Sequence, residues 1–348
     1  MQDSLCAERI GYIDALKGLA IFLVVMGHVL SCAFPDFSEI YTYGDPNLLL
    51  VWRFIYSFHM ALFMTISGYV AYNPNKRYSY STIGQRVVKY LIPCVIASLL
   101  YDVWVSKPFV NQYWYLSTLA LFIVITKISE TILFYFRNKY ISQLPKTLLE
   151  VITIFIIYII VRNIAMLPLL KVYFCETFDM NVHHLDMIVF YLFGYVLRRS
   201  ILINKFFQNR IVVFLSFVIF VAIELSSRIY NYHLPYEYHC TALPAIVLLW
   251  YVVYRVNLQH RLIKMLIYLG VISLEIYILH FFFLIDLSFV GIWTEEMLNS
   301  GKLQSIHYIF MMQSIVGIIG AGIVISCSCI SAKFLKKIPI ATVLLLGK

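Results

Sequence analysis

DALKGLAIFLVVMGH, residues 14–28, decides how the rest of this chain is read. It begins an apolar run, yet it holds Lys17 and His28 eleven residues apart. On an α-helix that interval is about three turns, so both side chains project from one face, roughly 16 Å apart along the axis. Asp14 shares that face and stands three residues before Lys17, where the two can pair and lower the cost of burying both charges. Ionisable groups inside a membrane helix are expensive and face a protein interior or a wet cavity. The plainer alternative is a snorkelling lysine and a hydrogen-bonded histidine; two such groups on one face favour function.

Composition agrees that this run crosses a bilayer. The 348 residues are 61% hydrophobic and 13% charged, with mean hydropathy +0.82, whereas soluble domains carry about 25% charged residues. The 17% aromatic content suits two water–bilayer boundaries. The net charge of +9 is accounted for by cytoplasmic loops and implies no nucleic-acid partner. Seven cysteines, at 6, 32, 94, 175, 240, 327 and 329, have the spacing of neither a disulfide framework nor a zinc site. Val29-Leu30-Ser31-Cys32 faintly resembles a lipoprotein cleavage box. Its flank is acidic at Asp3 and Glu8 and its apolar region would hold a histidine, so the segment is expected to be retained.

A bilayer-crossing helix needs about 20 mainly apolar residues. Runs of that kind lie near 12–33, 48–72, 84–105, 112–129, 147–167, 185–203, 211–230, 240–257, 262–285 and 306–332. The expected fold is therefore all-α, a polytopic bundle of about ten transmembrane helices with both termini cytoplasmic. Charge bias favours this count: of the 27 Lys and Arg, 20 fall at the inner side and 5 at the outer, leaving Lys17 and Arg53 as span residues assigned to neither side. The sixth run is interrupted by Arg198 and Arg199, which are expected to snorkel to the interface. Eight of the nine histidines fall at the outer end or outer half, so any acid–base chemistry is expected to face away from the cytoplasm; the plainer alternative is that histidines tolerate outer interfaces. No linker or internal repeat is visible, so residues 1–348 are expected to form one domain.

Further candidates lie along the spans. Arg53 and His59 sit six residues apart in WRFIYSFHMALFMTISGY, where Ser67-Gly68 would permit close helix contact. Arg86 and Lys89 in RVVKYLIP stand one turn apart at a cytoplasmic helix entry, a pairing that suits a phosphate-bearing ligand. Trp114 and Tyr115 follow Asn111-Gln112-Tyr113 and read equally as an aromatic belt or as a sugar platform. SLEIYILH carries Glu275 and His280 towards the outside, and Glu224 adds a carboxylate to the seventh run. P-loop, GxGxxG, GxSxG and HExxH motifs are absent, which leaves a soluble-type active site without support.

Taken in order, RIGYIDALKGLAIFLVVMGH, FHMALFMTISGY, RVVKYLIP, QYWYLSTL and SLEIYILH, from residue 9 to residue 280, resemble the acyltransferase-3 family of membrane acyltransferases. Within it they are most similar to the branch named for fucose 4-O-acetylase-type enzymes of bacterial polysaccharide modification. The family's basic residue, ten intervening residues and histidine fit Lys17 and His28; its basic-x-x-basic motif fits Arg86 and Lys89. The resemblance implies an enzyme of the bacterial inner or plasma membrane. It would move an acetyl or other short acyl group from cytoplasmic acyl-CoA to a hydroxyl of a polysaccharide or lipid-linked sugar, with no metal and no permanently bound cofactor. It implies His28 as general base beside Lys17 and Asp14, and acyl-CoA held by Lys17, Arg86 and Lys89. Arg53 and His59 are then placed for the oxyanion, and Trp114, Tyr115, Glu275 and His280 for the acceptor. The rival reading is a transporter or flippase for a glycan or lipid-linked sugar, whose substrate path also needs polar groups in a bundle. Against it, neither repeated halves nor helices broken at matching positions are visible.

Overall fold

The computed structural model describes residues 11–34, 50–71, 79–105, 113–140, 146–165, 167, 182–230, 237–299 and 306–347. Every regular element among them is helical. In chain order these are α1 (Gly11–Ala33), α2 (Leu50–Tyr56), α3 (His59–Ala71), α4 (Tyr80–Val105), α5 (Trp114–Tyr140) and α6 (Lys146–Ala165). Then come α7 (Val182–Asp186), α8 (Ile188–Arg199), α9 (Ile201–Phe207), α10 (Arg210–Tyr230) and α11 (Glu237–Arg255). The last are α12 (Arg261–Val271), α13 (Ser273–Leu279), a 3₁₀ turn over His280–Phe283, α14 (Ser288–Asn299), α15 (Ile306–Leu335) and α16 (Pro339–Leu346).

Among the described residues, six helical stretches are long and apolar enough to cross a membrane, and two bent pairs raise the number to 8. With apolar side chains such as Ile315, Ile319 and Ile323 turned outward along α15, the chain is a multi-pass membrane protein. Hydrocarbon, not water, is the solvent such a surface suits. Two of the ten expected runs are helical without reaching that standard: α8 has only 12 residues, and α11 opens on Glu237 and His239. The expected continuity also fails in places. The second run is interrupted at Ser57-Phe58, and α12 and the α13 segment are bent by 67° at Ile272. Helices α9 and α10 meet at 59°. Breaks of this kind leave backbone carbonyls without helical donors, and apolar periodicity alone does not reveal them.

The described chain packs as two compact units, one built on Met64–Phe206 with Leu335–Lys348, the other on Glu8–Phe63 with Phe207–Phe334. In the first unit α3 and α8 cross on a reciprocal glycine contact. A Cβ at Gly68 would overlap the Tyr191 carbonyl, and one at Gly194 would overlap the Thr65 carbonyl. Small residues let membrane helices approach to backbone contact, as Ser67-Gly68 suggested. Around the crossing, the Ser67 and Tyr115 hydroxyls are 2.5 Å apart and Thr126 is hydrogen-bonded to the Tyr191 hydroxyl at 3.2 Å. Arg199 is half-buried in an ion pair with Glu150, whose carboxylate also accepts from the Tyr195 hydroxyl at 3.0 Å. Arg198 lies 5.1 Å over the Tyr69 ring and donates to its hydroxyl at 3.2 Å. Both arginines thus find partners within protein.

The second unit repeats the device. A Cβ at Gly18 of α1 would overlap the Leu266 carbonyl of α12, and one at Gly270 would overlap the Asp14 carbonyl. Helix α2 is tied to the same body by the Trp52 indole, which donates to the Ser31 hydroxyl at 2.9 Å. The Val51 amide donates to the Gln313 side chain at 3.1 Å.

Candidate functional site

Helix α1 is uninterrupted from Gly11 to Ala33, so Asp14, Lys17 and His28 keep the spacing expected of them. Asp14 is buried, while Lys17 and His28 are half-buried. The tight crossing at Gly18 and Gly270 binds the Asp14–Lys17 end of α1 to α12. Ten residues beyond each of those glycines comes a histidine, His28 and His280. Their rings meet with centroids 5.3 Å apart. Phe281 closes on the His28 ring at 4.9 Å. The glycine contact and the histidine contact lie on either side of the 67° bend at Ile272.

The end of α13 explains the state of His280. There the His280 amide donates to the Ile276 oxygen, and the His280 Nδ1 lies 3.1 Å from that same oxygen and 2.9 Å from the Tyr277 oxygen. A carbonyl only accepts, so Nδ1 carries the proton and Nε2 keeps a lone pair. That Nε2 is buried and has no hydrogen-bond partner among the described residues. His59 obeys the same rule at the other break. It opens α3, and its Nδ1 lies 2.8 Å from the Ile55 oxygen in the last turn of α2. The Tyr56 ring packs on His59 at 4.7 Å, and a Cβ at Gly27, beside His28, would meet that tyrosine at 2.9 Å. Backbone carbonyls three or four residues earlier in the chain thus hold both histidines in the Nδ1–H form.

The other expected residues are placed as follows. Glu275 is buried in the first turn of α13. Arg53 is half-buried in the last turn of α2, separated from His59 by the break at Ser57-Phe58 rather than sharing a helix with it. In the first unit, Tyr115 is buried on Ser67, and the Trp114 ring is stacked on His184 at 3.9 Å with planes 6° apart. Arg86 is half-buried and Lys89 exposed on α4. Pro93 has no N–H to give the Lys89 carbonyl, and the backbone of Gly347 approaches that oxygen too closely for any Cβ. With φ +62, Gly347 also occupies the left-handed region that glycine tolerates.

Beside the histidine pair the second unit contains an apolar cavity of about 290 Å³, lined by Val29, Phe283, Leu284, Ile319 and Ile323 among others. It holds no group able to move a proton. A cue to the meeting of the two histidines was visible in the chain: Gly18–His28 and Gly270–His280 share one spacing. The tautomers had no such cue, because they depend on which backbone carbonyl each ring meets.

The chain belongs to the family Acyl_transf_3, described as an acyltransferase domain, which matches residues 10–332. It is similar to Nodulation protein NolL of Sinorhizobium fredii (strain NBRC 101917 / NGR234), with 32% identity over 134 residues, 33% of this chain and 35% of that protein. It is also similar to Nodulation protein NolL of Mesorhizobium japonicum (strain LMG 29417 / CECT 9101 / MAFF 303099), 35% identical over 96 residues, 27% of this chain and 24% of that protein. These alignments span about a third and a quarter of the curated relatives' own lengths. No solved structure matches.

Proposed function

We propose that this protein is a membrane O-acyltransferase of the bacterial inner or plasma membrane. It takes an acetyl or other short acyl group from cytoplasmic acyl-CoA and passes it to a hydroxyl of an extracytoplasmic or lipid-linked carbohydrate. The branch that acts on polysaccharides in the manner of a fucose 4-O-acetylase is the nearest description, with ten spans and both ends in the cytoplasm. The observation that carries the reading is the half-buried His28 ring against His280, on the same helix as Lys17 and inside the family-matched region.

In this reading the acceptor hydroxyl oxygen bonds to the thioester carbonyl carbon and the C–S bond breaks. The hydroxyl proton passes to His28 and from there to the departing thiolate, so coenzyme A leaves as a thiol and His28 returns neutral. Lys17, Arg86 and Lys89 supply cations for the phosphorylated end of the carrier. The roughly 16 Å between Lys17 and His28 along α1 is on the order of its pantetheine arm. Arg53 and His59 act on the oxyanion, while Trp114, Tyr115 and Glu275 serve the acceptor.

The test is to delete the gene and compare acyl groups on surface glycans by mass spectrometry and NMR. Loss of an O-acyl group, restored by the wild-type gene, is the expected result; an unchanged glycan would overturn the proposal. A second reading, a transporter or flippase for a glycan or lipid-linked sugar, gains from the helix breaks at Ser57-Phe58 and Ile272, since transporters use interrupted helices at their sites. Purified protein in vesicles separates the two: with acetyl-CoA and acceptor, an acyltransferase releases free coenzyme A and a transporter releases none.

A further inference from the structure

We infer that His280 is the positioning residue of His28: its Nε2 accepts a hydrogen bond from one ring nitrogen of His28 and so leaves the lone pair of the other nitrogen for the acceptor hydroxyl. This rests on His28 as the base of the proposed transfer and gives His280 a role other than sugar binding. Three observations carry it. The Ile276 and Tyr277 carbonyls hold the His280 proton on Nδ1. The remaining nitrogen, Nε2, is fully buried and has no partner among the described residues. The His28 ring lies at 5.3 Å between centroids, a separation from which facing ring nitrogens can close to hydrogen-bond range. Catalytic hydrogen bonds are commonly long before substrate arrives and tighten in the reacting complex.

A base needs its second nitrogen fixed, because an imidazole that presents N–H to the substrate cannot take its proton. Seated in the 3₁₀ turn that follows α13 and packed on Phe281, His280 fixes that nitrogen. As His28 takes the hydroxyl proton it becomes cationic, and the Nε2 lone pair stabilises the N–H it already accepts. The proton stays on His28 until the thiolate takes it, and His280 ends as it began.

Three variants test the pair. His280→Gln puts an acceptor oxygen near the Nε2 position, His280→Asn keeps only a donor near Nδ1, and His280→Phe keeps ring volume without either. With ¹⁵N-histidine-labelled protein in lipid nanodiscs, and His28→Ala to assign the signal, His28 is expected to show one tautomer in the wild type and in His280→Gln. A mixture is expected in His280→Asn and His280→Phe; a His28 tautomer unchanged in both would overturn the inference. In the deletion strain carrying each variant at equal protein level, glycan acylation is expected near wild type for His280→Gln and about ten- to a hundredfold lower for His280→Phe and His280→Asn. In the vesicle assay the KM for acetyl-CoA is expected to be unchanged while kcat falls; equal loss in all three variants would overturn the inference. If His280→Phe fails to fold, the Gln–Asn contrast still separates the two outcomes. The tautomer measurement needs no acyl transfer, so failure of the pair and failure of the transferase reading are told apart.

Discussion

Both units cross two helices on paired glycines, yet what each crossing leads to differs. In the first, polar groups near the crossing of Gly68 and Gly194 pair with one another, Arg199 with Glu150, Tyr195 with the same carboxylate and Ser67 with Tyr115, while the buried Thr65 hydroxyl has no partner among the described residues. In the second, Gly18 and Gly270 lead to two histidine rings, one of which keeps a buried nitrogen with no partner among the described residues. Buried polar groups in proteins are almost always matched, and an exception needs a reason. A matched network holds helices in place; an unmatched lone pair beside a half-buried imidazole is available for chemistry.

The largest expected effect falls on the second unit. His28→Ala is expected to lower acyl transfer by roughly 10²–10⁴-fold, the usual contribution of a general base, with no change in thermal unfolding in detergent. Activity within tenfold of wild type would remove His28 from the chemistry and dissolve the contrast. Next, in the first unit, Glu150→Ala is expected to cost about 3–5 kcal/mol by leaving Arg199 buried without its carboxylate. The double change Glu150→Leu with Arg199→Met is expected to recover most of that stability and to retain activity. A double variant that unfolds early, or is stable but inactive, would show that this network does more than hold helices together.

Smaller effects sharpen the comparison. Gly194→Val and Gly270→Val both force a side chain into backbone, and each is expected to cost roughly 1–3 kcal/mol. Only Gly270→Val should also lower kcat per folded molecule, because that crossing sets the approach of His280 to His28. Equal specific activities in the two folded variants would contradict the link. The smallest effect belongs to Arg86→Ala with Lys89→Ala. Since Lys89 is exposed and Arg86 half-buried, screened charges of this kind are worth about 0.2–1 kcal/mol each. Acetyl-CoA binding to the purified protein should weaken about threefold to tenfold, and unchanged affinity would remove the head-group role.

Much of the fold is legible in the chain alone. Low charge and long apolar runs lead to an all-helical membrane protein, and Ser67-Gly68 is readable as a close contact, because a missing side chain is visible in the sequence itself. Lys17 and His28 are readable as sharing a face because α1 is regular. Arg199 is not: a charge in an apolar run looks like an interfacial residue until Glu150, 49 residues earlier in the chain, is known to lie beside it. The separation of Arg53 from His59 by a helix break is equally hidden, since Ser57-Phe58 interrupts no apolar pattern.

By itself, then, the chain determined its solvent, its helical character and the spacing of its first-helix charges, all of which follow from local composition and the 3.6-residue period. Tertiary structure alone decided which distant groups meet and which nitrogen of each buried histidine holds the proton. Those outcomes depend on how helices pack and on which carbonyls each ring meets, and the packing joins segments far apart in the chain.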